Sequence, residues 1–372
     1  MNKRKLIITT LLFSSLMSIN AAAQTDVHVL DVGQGLSVLI ESNGHYMLYD
    51  GGDSDKSSYV ISYLHQEGVT ALDYVVASHY DSDHLNGVVG ALNTFPVSTV
   101  WGPDYETGTR VFESFRSVIA AKGLSCTQPD VGSQIQLGDA IIQVLAPSGS
   151  DYSDANNYSI AIRVQDGSTS FLITGDAEAE SEAQMTASGL NLDSDVYVMG
   201  HHGSGTSTSW DLLQAAVPEF AVLSCGAGNS YGHPHIESME KLEVMEIPLF
   251  RTDKQGTIVA SSDGSSITWN VEPCNDYSPG DPNDKPAKPA SYIDFSLDSS
   301  LDSSLDSSLD PSSEASSSGQ EAADVVYWTP GGKSYHNSQE CSTLSRSKTI
   351  LSGSLNDALN AGKDDPCNVC VR

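Results

Sequence analysis

An apolar run, Tyr74-Val75-Val76-Ala77, is followed after one residue by His79-Tyr80-Asp81-Ser82-Asp83-His84, which packs four potential metal ligands into six residues. The run has the length and β-branched content of a buried strand, so the ligands emerge where a strand ends and a loop begins. The spacing lets His79 and Asp81 point one way and Asp83 and His84 another, which suits two adjacent divalent cations. A polar turn with Asp83 capping a helix from about His84 is the plainer alternative. Three more segments repeat the design. Phe171-Leu172-Ile173-Thr174 delivers Asp176 through Gly175; Val196-Tyr197-Val198-Met199 delivers His201 and His202; and Phe220-Ala221-Val222-Leu223-Ser224 leads into the loop that carries His233 and His235. One such end is an ordinary turn, whereas four in one chain are hard to explain as turns.

Around these ends, strand-like and helical patterns alternate. Asn43-Gly44, Gly138-Asp139, Asp166-Gly167 and Asp263-Gly264 mark hairpins, and Ser57 to Gln66 reads as a helix. Residues 24–272 suffice for one two-layered core. The pattern supports an α/β domain of mixed sheets covered by helices.

The residues at these strand ends resemble the metallo-β-lactamase superfamily, and within it the extracellular hydrolase domain of the ComEC family of DNA-uptake proteins. The subfamily carries Asp at the second ligand position, matching Asp81. Its Asp-Val-Gly-Gln-Gly matches Asp31 to Gly35, its Asp-Gly-Gly matches Asp50 to Gly52, and its Thr-Gly-Asp matches Thr174 to Asp176. Its Gly-His-His-Gly-Ser matches Gly200 to Ser204, and its Asn-x-Tyr-Gly-His-Pro-His matches Asn229 to His235. The similarity runs from about Thr25 to Val271, with the motifs in the family's order. Leu36 stands where the family commonly has an acidic residue. The chain lacks the many long apolar segments of a DNA-translocating channel and resembles the catalytic domain as a separate protein.

The resemblance implies an αββα sandwich with two divalent ions, Zn²⁺ or Mn²⁺, at one edge between the sheets. By motif position His79 and Asp81 hold one ion, Asp83 and His84 the other, Asp176 bridges both, and His201 completes a sphere. Asp83, His202, His233 and His235 form the catalytic set. Ser204, Asn229 and Tyr231 join these histidines in contacting a phosphate or protonating a leaving group, and a ligand role stays open for His233 or His235. Asp31 and Asp50 orient ligand imidazoles or loops. Two such ions would supply hydroxide near neutral pH and take up charge on a phosphoryl group.

Met1 to Ala23 has a basic start, Lys3-Arg4-Lys5, an apolar stretch from Leu6 to Met17, and Ala21-Ala22-Ala23. This is the pattern of a secretory signal peptide cleaved after about Ala23; an uncleaved anchor is the competing reading, disfavoured by the short apolar stretch. The expected mature protein works outside the cytoplasm, extracellular or periplasmic, without stable membrane insertion. The full chain's net charge of −30 opposes tight non-specific binding to nucleic acid. Bound divalent ions invert the sign locally, and many of the acids lie in a linker.

That linker, residues 273–323, is rich in Pro, Ser and Asp and repeats Ser-Leu-Asp-Ser; with nothing to bury its leucines against, it reads as disordered. Residues 324–372 form a small module with His336, Cys341, Cys367 and Cys370. These four close a tetrahedral zinc site, or two of the thiols form a disulfide and leave one over. The module is similar to small cysteine-containing modules at the ends of some secreted relatives, and no protein partner is indicated for it.

The leading expectation is a secreted phosphodiesterase, a nuclease acting on DNA. One alternative is hydrolysis of a small ester, lactone or β-lactam. His at the second ligand position and a further His before Gly175-Asp176 would mark it; Asn156-Asn157-Tyr158-Ser159 stands there instead, as in the DNA-uptake relatives. The other alternative is a non-catalytic metal-binding protein.

Overall fold

The computed structural model describes residues 24–284 and, beyond them, 325–328, 334–341, 344, 350–354, 358, 363, 365–367 and 370. The expected leader, 1–23, residues 285–323 of the expected linker and residue 324 lie outside the described residues.

One sheet has eight strands in the order β15-β14-β1-β2-β3-β4-β5-β6. They are β1 (Thr25–Val29), β2 (Val38–Ser42), β3 (His45–Tyr49), β4 (Leu72–Val76), β5 (Val97–Trp101), β6 (Cys126–Thr127), β14 (Ile258–Ser262) and β15 (Ile267–Trp269). The second has seven, ordered β13-β12-β11-β10-β9-β8-β7: β7 (Gln134–Leu137), β8 (Ala140–Val144), β9 (Ile162–Asp166), β10 (Thr169–Ile173), β11 (Val196–Val198), β12 (Phe220–Leu223) and β13 (Leu249–Arg251). Strand alternation decides what each sheet buries on which face. Met47, Tyr49, Phe171, Ile173, Val196 and Val198 point into one core between the sheets. Leu48 faces α1 (Ser57–Gln66), α2 (Ser82–Thr94) and α3 (Arg110–Ala121) on the outside of the first sheet. Leu172 and Tyr197 face α4 (Ala179–Ala187), α5 (Trp210–Ala216) and α6 (Ile236–Val244) on the outside of the second. A further short helix, α7 (Thr252–Gln255), follows β13. The expected αββα sandwich is present, and all four expected turns join antiparallel neighbours.

Strands β3 to β6 run parallel, as do β10 to β13. Ligand sites of open α/β sheets lie beyond the carboxyl ends of such strands. His79 follows β4, Asp176 follows β10, and His201-His202 follow β11. One glycine pair sets the approach of α2: a Cβ on Gly87 would lie 1.9 Å from the Gly51 carbonyl oxygen. The helix therefore packs backbone to backbone on the loop after β3, which brings its first turn, with Asp83 and His84, against Asp50.

The chain departs from expectation just after β15. Residues 273–284, read as the start of a disordered linker, lie on the domain. Asn275 exchanges two hydrogen bonds with Leu249, and the Tyr277 hydroxyl donates to the Ile247 carbonyl. Buried Arg251 donates from one nitrogen to the Asp276 and Ser278 carbonyls while its other two nitrogens grip Asp253. The physical reason is that a polar segment needs only partners for its backbone, and Arg251 supplies donors in a rigid fork.

The C-terminal residues form a separate four-stranded sheet, ordered β18-β16-β17-β19, from β16 (Val325–Trp328), β17 (Ser334–His336), β18 (Leu351–Ser354) and β19 (Asp365–Pro366). Among the described residues, no helix is long and apolar enough to cross a membrane.

Candidate metal centre

Three histidine rings, His79, His84 and His202, are each held by a partner at Nδ1, which leaves Nε2 available to one or both of two neighbouring groups of candidate ligands. His84 Nδ1 donates to Asp50 Oδ2 over 2.8 Å, and His202 Nδ1 donates to the Ser224 carbonyl over 3.1 Å. For His79 the hydrogen assignment follows from its neighbour. The Ser78 hydroxyl donates its single proton to Asp50 Oδ2, so it can only accept from His79 Nδ1, 3.0 Å away. Burial, reinforced by the nearby His84, lowers the His79 pKa to about 4, so the ring is neutral and its Nε2 lone pair is bare. That Nε2 is buried without a hydrogen-bond partner, and so is Asp176 Oδ1.

Orphaned buried atoms of this kind are costly unless an unseen group completes them. Here they fit a divalent cation. His84 Nε2 lies 3.2 Å from His202 Nε2 and 3.1 Å from Asp176 Oδ2, and His202 Nε2 lies 3.3 Å from the same oxygen. Nitrogen and oxygen ligands about 2.0–2.2 Å from one ion stand about 3.3–3.6 Å apart in a tetrahedral site and about 2.8–3.1 Å apart in an octahedral one, a span that covers these separations. Two candidate ligand groups result: His79, His84 and Asp176, and Asp83, His84 and His202.

Electrostatics points the same way. Burial disfavours charge on His84, but the Asp176 and Asp50 carboxylates outweigh it and hold its pKa well above the ordinary value. His202 is likewise raised, to about 9, as Asp176 and Asp83 overcome its burial. The imidazoles in turn hold Asp83 and Asp176 below the usual carboxylate range against their own burial. The pocket is built for positive charge.

The placement of the expected site residues differs in several respects. His202, expected on the substrate side, sits among the candidate ligands, while His201 stands outside the tight group: its Nε2 is 3.8 Å from Asp176 Oδ2 and its Nδ1 faces Glu178 at 3.4 Å. The cause is a left-handed pair, with φ of 50° at His201 and 54° at His202, strained for both residues. Asp81 is exposed and 3.9 Å from His79 Nε2. It occupies the N-cap position of α2 but makes no cap bond, which leaves its carboxylate spare. Asp50 grips the Ser78 backbone and hydroxyl and His84 at once. The Asp31 carboxylate accepts from the Gly33 N–H of its own loop, and the Asp31 backbone N–H donates to the Thr257 hydroxyl.

Asn229, expected to bind substrate, is saturated by its own loop: its amide donates to the Gly226 and His233 carbonyls and accepts from Tyr231 and His233. Ser204 Oγ bonds Thr206, and Tyr231 is exposed, stacked on His233. His235 Nδ1 accepts from the Gly205 N–H, so its Nε2 donates to the Tyr231 carbonyl, which commits both nitrogens to loop structure. His233 is the opposite case. The Gly226 N–H fixes the Gln34 amide oxygen, so Gln34 Nε2 donates to His233 Nδ1 over 3.2 Å and the His233 proton sits on Nε2. Burial and the positive His202 beside it lower its pKa to about 3.

Residues that sequence reading gave no individual role are Gln34, Ser78, Ser224 and Ser159, whose hydroxyl accepts from the Asp176 N–H. Leu36 is buried in the core between the sheets.

The sequence profile of the metallo-beta-lactamase superfamily matches residues 30–226. The chain belongs to this superfamily, a fold that binds divalent metals and serves generally hydrolytic metalloenzymes. Within it the chain falls in the ComEC-like family. It is 28% identical over 275 residues to ComE operon protein 3 of Bacillus subtilis (69% of this chain, 35% of that protein). It is 34% identical over 243 residues to competence protein ComA of Neisseria gonorrhoeae (64% and 32%), and 34% identical over 258 residues to recombination protein 2 of Haemophilus influenzae (68% and 30%). The chain thus spans about a third of the length of these relatives.

Proposed function

We propose that the protein is a metal-dependent phosphodiesterase acting on DNA outside the cytoplasm. The observation that carries the hydrolytic part is the convergence of three Nε2 atoms and the Asp83 and Asp176 carboxylates, with two buried atoms left unpaired. His79, His84, His202, Asp83 and Asp176 would hold the ions, with Asp81 and His201 within reach of the outer positions. Bound ions acidify water and offset charge on a phosphoryl oxygen. The chain's own residues do the rest. Asp50, Ser78 and the Ser224 carbonyl fix the tautomers that expose Nε2. His233, neutral and with its N–H held at Nε2 by Gln34, is suited to stabilise the departing oxygen through a hydrogen bond rather than to protonate it. DNA as substrate is supported by the competence and recombination names of the relatives, and action outside the cytoplasm by the leader-like Met1 to Ala23.

The test is cleavage of linear and circular DNA, single- and double-stranded, by the purified protein with Mn²⁺, Mg²⁺ or Zn²⁺, beside Asp83→Ala. Metal-dependent cleavage lost in the variant is the expected result. A protein that binds its ions yet cleaves no DNA would redirect the reading to a small phosphodiester or another ester, a substrate more compatible with a net charge of −30.

A further inference from the structure

The C-terminal sheet brings together four side chains that the hydrolytic site does not use. His336 ends β17 and Cys367 directly follows β19; these strands pair in parallel, with Tyr335 opposite Pro366 and the Cys367 N–H donating to the Tyr335 carbonyl. Both residues therefore leave the sheet at the same end. A turn after β17, closed by the Cys341 N–H to the Ser338 carbonyl, returns Cys341 to that end, and Cys370 comes three residues after Cys367.

Two distances decide what the cluster is. Cys341 Sγ and Cys367 Sγ are 3.8 Å apart, and Cys370 Sγ is 3.6 Å from His336 Nδ1. A disulfide needs about 2.05 Å between its sulfurs. Thiolates about 2.3 Å from a tetrahedral zinc stand about 3.8 Å apart, and a thiolate and an imidazole nitrogen at about 2.3 and 2.05 Å stand about 3.6 Å apart. Both separations match the edges of a zinc tetrahedron. All four ligand atoms lie within 4.8 Å of one another, and three of the four residues are buried. The surrounding apolar cluster, Leu344 with Tyr327 and Ile350, is small, so a unit of this size gains much of its stability from such a staple.

We propose that the C-terminal module is a zinc-folded unit in which His336 Nδ1 and the thiolates of Cys341, Cys367 and Cys370 hold one Zn²⁺. Binding displaces the thiol protons and changes no oxidation state. The site is independent of the hydrolytic centre, which offers no sulfur ligand.

Sulfur gives the test its selectivity. Full-length protein, stripped of metal under reducing conditions and titrated with Co²⁺, should develop a sulfur-to-cobalt charge-transfer band whose final intensity corresponds to one thiolate-ligated ion per chain, whatever Co²⁺ the hydrolytic centre also takes up, and which is bleached by Zn²⁺. Cys367→Ser should abolish the band, and Asp176→Ala should keep it. Absence of the band in a protein whose three C-terminal thiols react freely would overturn the proposal. So would an intact mass of the oxidised native protein that shows a disulfide among Cys341, Cys367 and Cys370, since the module would then be closed by a different bond. Neither result bears on the hydrolytic site.

Discussion

Replacing Asp50 with Asn tests the geometry of the metal centre without removing a ligand. Asp50 has φ 59°, a conformation Asn tolerates well, so the backbone is not stressed by the change. The carboxylate accepts three hydrogen bonds: one oxygen takes the Ser78 N–H, and the other takes the Ser78 hydroxyl and His84 Nδ1–H. An amide can satisfy one side only. With its oxygen on the Ser78 N–H, its NH₂ faces His84 Nδ1 and drives the ring proton to Nε2, where it blocks coordination; reversed, it opposes the Ser78 N–H. A buried hydrogen bond to a charged group contributes about 1.5–3 kcal/mol, and about 1.4 kcal/mol is tenfold in affinity. The expected loss is therefore about 10- to 100-fold in metal affinity, the range common for partners that orient metal-bound histidines. Competition against a chromophoric chelator measures it, and thermal unfolding of the metal-free proteins separates it from damage to the fold. Unchanged affinity in a folded Asp50→Asn variant would refute the tautomer argument.

Arg251→Met leaves the buried Asp253 carboxylate and two strap carbonyls without their partner, and should lower the unfolding free energy by about 3–5 kcal/mol in urea titration; a loss below about 1 kcal/mol would show that the segment at 273–284 does not depend on it. A Cβ on Gly280 would lie 2.0 Å from the His233 carbonyl oxygen, so Gly280→Ala should displace the His233 loop and reduce turnover by up to about 100-fold. Metal content should stay the same, and loss of both together would contradict the division of labour. The metal-free protein should lose stability as pH rises. His202 has its folded pKa raised from 6.5 to about 9, so its contribution is complete below about 6.5 and disappears toward 9. Metal needs the deprotonated ring, so affinity should rise over the same window, with proton release seen by calorimetry in two buffers. A melting temperature of the stripped protein that rises between pH 6.5 and 9 would contradict this pairing.

The sandwich and the location of its site are legible in the sequence because both rest on local patterns. Unbroken apolar runs such as Tyr74-Val75-Val76-Ala77 and Phe171-Leu172-Ile173 mark strands buried on both faces, and the proposed ligands follow such runs. The roles of His201 and His202 are not legible, because two successive left-handed residues decide which ring points inward, and Gly-His-His-Gly does not announce them. Nor is the strap legible: Asp276 and Ser278 have linker composition, and the arginine that holds them lies some 25 residues earlier. The commitment of Asn229 and His235 to their own loop is hidden for a similar reason, since a polar side chain beside a site reads alike whether it faces substrate or backbone.

The proposed ligands come from both halves of the sandwich. His79, Asp83 and His84 belong to the sheet of β1 to β6, and Asp176 and His202 to the sheet of β7 to β13. An ion held between them is a rivet through the two halves, and its occupancy enters the folding equilibrium by mass action. Above the dissociation constant, each tenfold rise in free metal adds about 1.4 kcal/mol to the cost of unfolding per ion bound. In metal-poor surroundings the chain would become a weaker catalyst and a shorter-lived molecule together, so one environmental variable would set both the activity and the lifetime of the protein.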